Sequence, residues 1–226
     1  MDTAGDSSPL LSQWRAAAQA ALAVVLPTSC AGCGIPDVPL CGSCRRAISP
    51  RTVRAVGIGV PVCAGVVFDG VAARVLRACK EQGATVLVRA LAPALSAAAR
   101  EVLASSSGQV VVVPVPTSPA TMRRRGFRVV EMLAVRAGLH PRRLLRVARR
   151  SADQRGLGVD ARARNVSGTL RVAPLHLAAV AGRRVLLVDD VVTTGATLRE
   201  AVRALEGAGA TVVGAATVAA TPRRSP

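Results

Sequence analysis

The segment Val185–Leu198, VLLVDDVVTTGATL, constrains the fold more than any other stretch of the chain. Val185 to Val188 are apolar without polar alternation, the pattern of a strand covered on both faces in a parallel sheet. Asp189 and Asp190 follow at its carboxyl end, and Val191 to Thr197 lead through Gly195 into a helix predicted to run to about Gly207. Parallel strands need crossover connections, so the segment belongs to an open α/β sheet. In such sheets ligands bind in the crevice outside the carboxyl ends of the strands.

Backbone N–H groups at the helix start, with the hydroxyls of Thr193, Thr194 and Thr197, form a site suited to a phosphate dianion. Gly195 allows close approach of the backbone. Adjacent carboxylates repel each other unless they meet a cation or hydrogen-bond donors, and a ribose diol supplies two donors. A phosphate site beside a diol site describes a ribose 5-phosphate. Strands ending in Asp also occur in doubly wound proteins without such a site, and in P-loop nucleotidases the Asp holds magnesium. The nucleotidase reading requires GxxxxGK[ST], but Lys80 is the only lysine and Glu81 follows it, which excludes that class.

Without a gap, VLLVDDVVTTGATL resembles the phosphoribosyl pyrophosphate (PRPP) binding motif of type I phosphoribosyltransferases. The resemblance implies that Asp189 and Asp190 hold the ribose hydroxyls. It places Val191, Thr193, Thr194, Gly195, Ala196 and Thr197 in the PRPP-binding loop, with the 5-phosphate on Thr193 to Thr197.

Half of the 226 residues are apolar, enough for a sizeable core in one domain with a small appendage. The net charge of +17 comes almost wholly from arginine. It suits a nonspecific nucleic-acid partner, and it equally suits a compositional excess of arginine on solvated helix faces. Trp14, Phe68 and Phe127 are the only aromatics, so base stacking has little to work with. The apolar run Ala16–Leu26 is too short to span a bilayer and lacks a basic start, so no membrane insertion and a cytoplasmic location are expected.

Cys30, Cys33, Cys41 and Cys44 form two CxxC pairs separated by seven residues. Paired CxxC turns suit tetrahedral, structural Zn2+ with no open position, and redox disulfides are the rival reading. Cys63 and Cys79 read as small core residues.

Further along, Val62–Phe68 is a strand candidate, Val71–Lys80 follows a helical pattern, and Val86–Leu103 reads as an Ala- and Leu-rich helix. Val110–Val113 is a second buried strand. The prolines at 114, 116 and 119 predict a stiff loop at the same sheet edge as Asp189, placing Val115 and Pro116 beside the site. Arg123, Arg124, Arg125 and Arg128 then precede a helix over Val129–Ala137. Four guanidiniums after a rigid turn suit a pyrophosphate, or form an ordinary solvated basic loop.

These segments extend the resemblance to the competence protein F (ComF) family of phosphoribosyltransferase-like proteins. The order CxxC…CxxC, a helix ending in lysine, VPVP, RGF, Q..L….R..N and the PRPP motif appears here as Cys30–Cys44, Lys80, Val113–Pro116, Arg125–Phe127, Gln154, Leu157, Arg162 and Asn165, and Val185–Leu198. Where that family commonly reads RGFNQ, this chain has Arg128 and Val129, losing an amide pair that could contact an acceptor.

The resemblance implies a mainly parallel sheet of about five strands, helices on both faces, a small hood and a preceding four-cysteine zinc module. It divides the chain into a tail at 1–9, a helix and zinc module at 10–50, a phosphoribosyltransferase-like domain at 51–221 and a tail at 222–226. It implies Mg-dependent release of pyrophosphate from PRPP, with Asp189 and Asp190 on the sugar. Lys80, Arg123, Arg124 and Arg125 would neutralise the leaving group, and Gln154, Arg162 and Asn165 would order the hood. The alternative is a catalytically silent PRPP-binding accessory of DNA uptake or recombination proteins.

Overall fold

The computed structural model describes residues 29–55, 57–148 and 168–222. Trp14, the run Ala16–Leu26, the stretch with Gln154, Leu157, Arg162 and Asn165, and nearly all of both expected tails lie outside these residues.

Five strands form the central sheet in the order β1-β2-β7-β6-β3. They are β1 (Val53–Arg54), β2 (Val62–Val67), β3 (Val110–Pro114), β6 (Arg184–Val192) and β7 (Thr211–Ala220). Only edge strand β1 is antiparallel to its neighbour, so the carboxyl ends of the other four share one edge. This is the mixed α/β architecture with a mostly parallel sheet that the apolar runs predict. A separate two-stranded antiparallel ribbon, β4 (Leu145–Val147) with β5 (Leu170–Val172), stands outside the sheet as the counterpart of the expected hood.

The described helices are α1 (Gly42–Ala47), α2 (Gly70–Glu81), α3 (Val88–Leu103), α4 (Pro119–Arg125), α5 (Val129–Arg136), α6 (Leu177–Val180) and α7 (Ala196–Glu206). Alternation along β6 separates two cores. Leu186 and Val188 pack with Leu76, Leu95 and Leu133 of α2, α3 and α5, whereas Val185 and Leu187 pack with Leu198 and Leu205 of α7. Helices therefore cover both faces. Gly65 of β2 permits the close approach of α3, since a Cβ there would stand 2.1 Å from the carbonyl oxygen of Ala94.

Two local features differ from the sequence reading. β6 continues through both aspartates to Val192 because its pairing with β7 persists to Ala220. The expected proline-rich loop persists over residues 115–118, but the arginines after it, Arg123 to Arg125, lie in helix α4 and not in a basic loop. Ser118 caps that helix by accepting from the Thr121 N–H at 3.1 Å, Pro119 occupies the first turn, and Gly126 at φ 78° ends it.

Cys30, Leu40, Cys44 and Ile48 join the core that contains α2 and α3. Arg74 Nε donates to the Gly32 carbonyl at 2.6 Å, tying the cysteine segment to α2. Among the described residues, no helix is long and apolar enough to cross a membrane.

Candidate functional site

The carboxyl edge of β6 brings the acidic pair into contact with α2. Lys80 Nζ lies 3.0 Å from Asp190 Oδ1 and 3.0 Å from Oδ2. Consecutive side chains of an extended strand diverge, so the two carboxylates do not lie side by side. Asp189 Oδ1 accepts the Asp190 backbone N–H at 2.8 Å, while its second oxygen has no partner among the described residues. Desolvation, reinforced by the charge of Asp190, pushes the Asp189 carboxyl up to about 8. Cys79, next to Lys80, is raised to about 11 by burial and by Asp190.

The threonine loop follows directly. Thr193, Thr194 and Thr197 are exposed, Ala196 is half-buried and Gly195 is buried. Gly195 sits at φ 74° before the first turn of α7, and a Cβ there would stand 2.6 Å from Ile58 Cγ2. Both the left-handed backbone and the contact with Ile58 require glycine. Thr194 Oγ1 accepts from the Ala196 N–H at 3.4 Å, and the hydroxyls of Thr193 and Thr197 have no partner among the described residues. The first-turn N–H groups of α7 have no intrahelical acceptors, and among the described residues only that of Ala196 meets a hydroxyl, so the exposed threonines border a set of backbone donors.

Val115 N–H donates to the Val188 carbonyl at 2.9 Å, which holds Val115 and Pro116 against the end of β6. From there α4 carries the arginines. Arg124 and Arg125 line a cavity of about 510 Å³ with Lys80, Glu81, Gly83 and Phe127. Arg125 Nε is buried without an acceptor, and no carboxylate pairs with Arg123, Arg124 or Arg125 among the described residues. Arg123 is exposed and does not line the cavity, and Arg128 instead faces Glu131 at 3.7 Å. The structure thus joins Lys80, Asp190, Arg124 and Arg125 and leaves Arg123 apart. Glu81 and Gly83, which sequence reasoning missed, were signalled only by adjacency to Lys80.

The four cysteines of the amino-terminal segment have their Sγ atoms within 4.8 Å of one another, and none forms a disulfide. Tetrahedral Zn–S bonds of about 2.3 Å imply S···S separations of about 3.8 Å. Cys33 and Cys41 already stand 3.7 Å apart. Although burial opposes it, N–H groups of Cys41, Cys33 and Gly32 draw the Cys30 thiol down to about 6, whereas burial and the neighbouring thiols push Cys44 up to about 12. A Cβ on Gly32 would stand 2.5 Å from Cys44 Sγ, so glycine is needed for closure of the cluster. The donor set fits Zn2+.

A family profile described as "Phosphoribosyl transferase domain" matches residues 81–225. No curated protein matches the chain significantly. Among solved structures, the allosteric regulatory enzyme of purine biosynthesis is 24% identical with a TM-score of 0.35, over 58% of this chain and 26% of that one. Orotate phosphoribosyltransferase from Aeropyrum pernix is 22% identical with a TM-score of 0.32, over 64% of this chain and 62% of that one. The chain spans less than two thirds of the length of either.

Proposed function

The chain belongs to the phosphoribosyl transferase domain family, and from that premise we propose that it binds PRPP at the carboxyl edge of β6 and transfers its phosphoribosyl group to an acceptor. The observation that carries this reading is the cavity in which Lys80, Arg124 and Arg125 gather beside Asp190, one loop away from the threonine cradle. The 5-phosphate rests on Thr193, Thr194, Gly195, Ala196 and Thr197, and Val191, Val115 and Pro116 wall the sugar. Asp189 offers its free oxygen to the ribose, and Asp190 is held ready by Lys80.

Transfer breaks the bond between C1 of the ribose and pyrophosphate oxygen and forms one to the acceptor, through a sugar with oxocarbenium character. Arg124, Arg125 and Lys80 neutralise charge on the departing pyrophosphate, with Arg123 at the outer margin, and the Asp190 carboxylate stabilises the positive sugar while Asp189 holds its hydroxyls. Mg2+, when bound with PRPP, supplies further neutralisation of the pyrophosphate. The Asp189 carboxyl, raised to about 8, would have to give up its proton to hold such an ion.

The order of motifs supports placing the chain in the ComF group. It also supports the division into a zinc module at 10–50 and a phosphoribosyltransferase-like domain at 51–221. Reduced, zinc-bound thiols accord with the cytoplasm. A silent PRPP-binding accessory in competence is the second reading, favoured by Arg128 and Val129 where that family commonly carries Asn and Gln. Pyrophosphate release from Mg–PRPP across a panel of amines and nucleobases tests turnover. Release with one acceptor supports transfer, and binding without release across the panel supports the accessory reading.

A further inference from the structure

A cavity of about 1250 Å³ opens along α5 and the segment after it, and shares no residue with the cavity beside Lys80. Its walls include Val86, Met132, Val135 and Leu139. Val86 and Val135 are 57% and 62% exposed, so large apolar side chains here stand in water. Arg89, Arg136, Arg142 and Arg143 surround them. Glu131, the single carboxylate of the lining, already accepts from Arg143 Nε at 2.7 Å. No carboxylate pairs with Arg89, Arg136 or Arg142 among the described residues. Arg89 and Arg136 also border an adjoining cavity of about 480 Å³ that contains Arg100, so the positive rim continues over α3.

Exposed aliphatic anchors inside a ring of arginines, of which only Arg143 is paired among the described residues, match a ligand that is apolar along one face and acidic along its flanks. A nucleic acid would meet the arginines and could stack on His140 and His176 of the lining, but it would leave the exposed aliphatic side chains of Val86 and Val135 unsatisfied. In sequence, the chain's own remaining segments match an acidic amphipathic helix poorly: the run Ala16–Leu26 carries no carboxylate and has only Asp2 and Asp6 ahead of it, and residues 149–167 carry five arginines against Asp153 and Asp160. A second copy would bring the same positive rim. An α-helix about 10 Å across rises about 1.5 Å per residue, so roughly three turns fill a space of this size. We propose that this groove docks an acidic amphipathic helix of a partner protein.

Fluorescence anisotropy on the full chain at physiological ionic strength tests the assignment with three labelled probes. The first is a Glu-rich helical peptide with Leu at i, i+3, i+4 and i+7, and the second has the same composition scrambled to destroy the apolar face. The third is a single-stranded oligonucleotide of equal charge. The ordered peptide is expected to bind at least tenfold tighter than the scrambled one. Val135→Asp, at an exposed position, should erase that difference while thermal melting stays unchanged, and Arg136→Glu combined with Arg142→Glu should weaken binding at least tenfold. Equal binding of the two peptides overturns the proposal. So does tighter oligonucleotide binding that ignores Val135→Asp, or self-association in sedimentation that Val135→Asp abolishes.

Discussion

Lys80 Nζ meets both carboxylate oxygens of Asp190 at 3.0 Å, closing a contact between residues 110 positions apart. The pair fixes the end of α2 over the end of β6, and it places the chain's only lysine between the acidic strand end and the arginine cavity. Lys80→Met leaves Asp190 charged and unpaired beside Asp189. With side-chain exposures of 27% and 12%, the loss should be about 1–3 kcal/mol, below that of a fully buried pair. Urea unfolding should show it, with PRPP affinity reduced at least tenfold, and an unchanged midpoint would refute the coupling.

Asp189 and Glu200 should impose opposite pH dependences. The Asp189 carboxyl is raised to about 8, so the folded state holds its proton more tightly than the unfolded chain does. Its contribution to stability is complete below the unfolded value near 4 and is lost as pH rises through about 8. Asp189→Asn should therefore gain stability relative to the parent at pH 8 and little at pH 4. Urea midpoints at the two values decide it.

Glu200 is 4% exposed, accepts the Leu170 N–H at 3.0 Å and receives Arg203 at 2.7 and 2.8 Å. Although burial opposes ionisation, Arg203 and the Leu170 N–H hold the carboxyl below its usual range. Its stabilisation is present above the unfolded value near 4.5 and disappears as pH falls through the lower folded value. Glu200→Ala leaves the Leu170 N–H without its acceptor and should cost about 2–4 kcal/mol at pH 7, measured by chemical unfolding.

Gly195→Ala forces a side chain into a left-handed backbone at φ 74° and against Ile58. A loss of about 1–3 kcal/mol is expected, together with loss of PRPP binding. Adding Ile58→Ala should remove the contact and recover only part of the stability. Full recovery would show that the backbone conformation costs nothing.

One equivalent of zinc per reduced chain is expected by elemental analysis. Since Cys44 and Ile48 belong to the same core as α2 and α3, Cys44→Ser should lose the metal and also lower the melting temperature of the main fold. Zinc-free protein that melts unchanged would separate the module from that core.

Local pattern explains what was legible. The β3 and β6 runs are covered on both faces, so their apolar continuity marks them, and Gly195 with its threonines marks the α7 start. Three closely spaced prolines disguised α4, although Ser118 and Pro119 carry its start signal. The Lys80–Asp190 pair and the Gly195–Ile58 contact depend on tertiary packing across the chain and have no local signature. Arg123, Arg124 and Arg125 are equivalent in sequence, and only the orientation of α4 directs Arg124 and Arg125 into the cavity.

Calorimetric titration of Mg–PRPP into reduced, zinc-loaded protein tests the central claim most directly. Saturable one-site heat is predicted, with Asp190→Asn taking more free energy from PRPP binding than the roughly 1–3 kcal/mol that loss of the Lys80 pair takes from folding. Absence of heat with the parent protein, or losses of affinity and stability of equal size in Asp190→Asn, would contradict it.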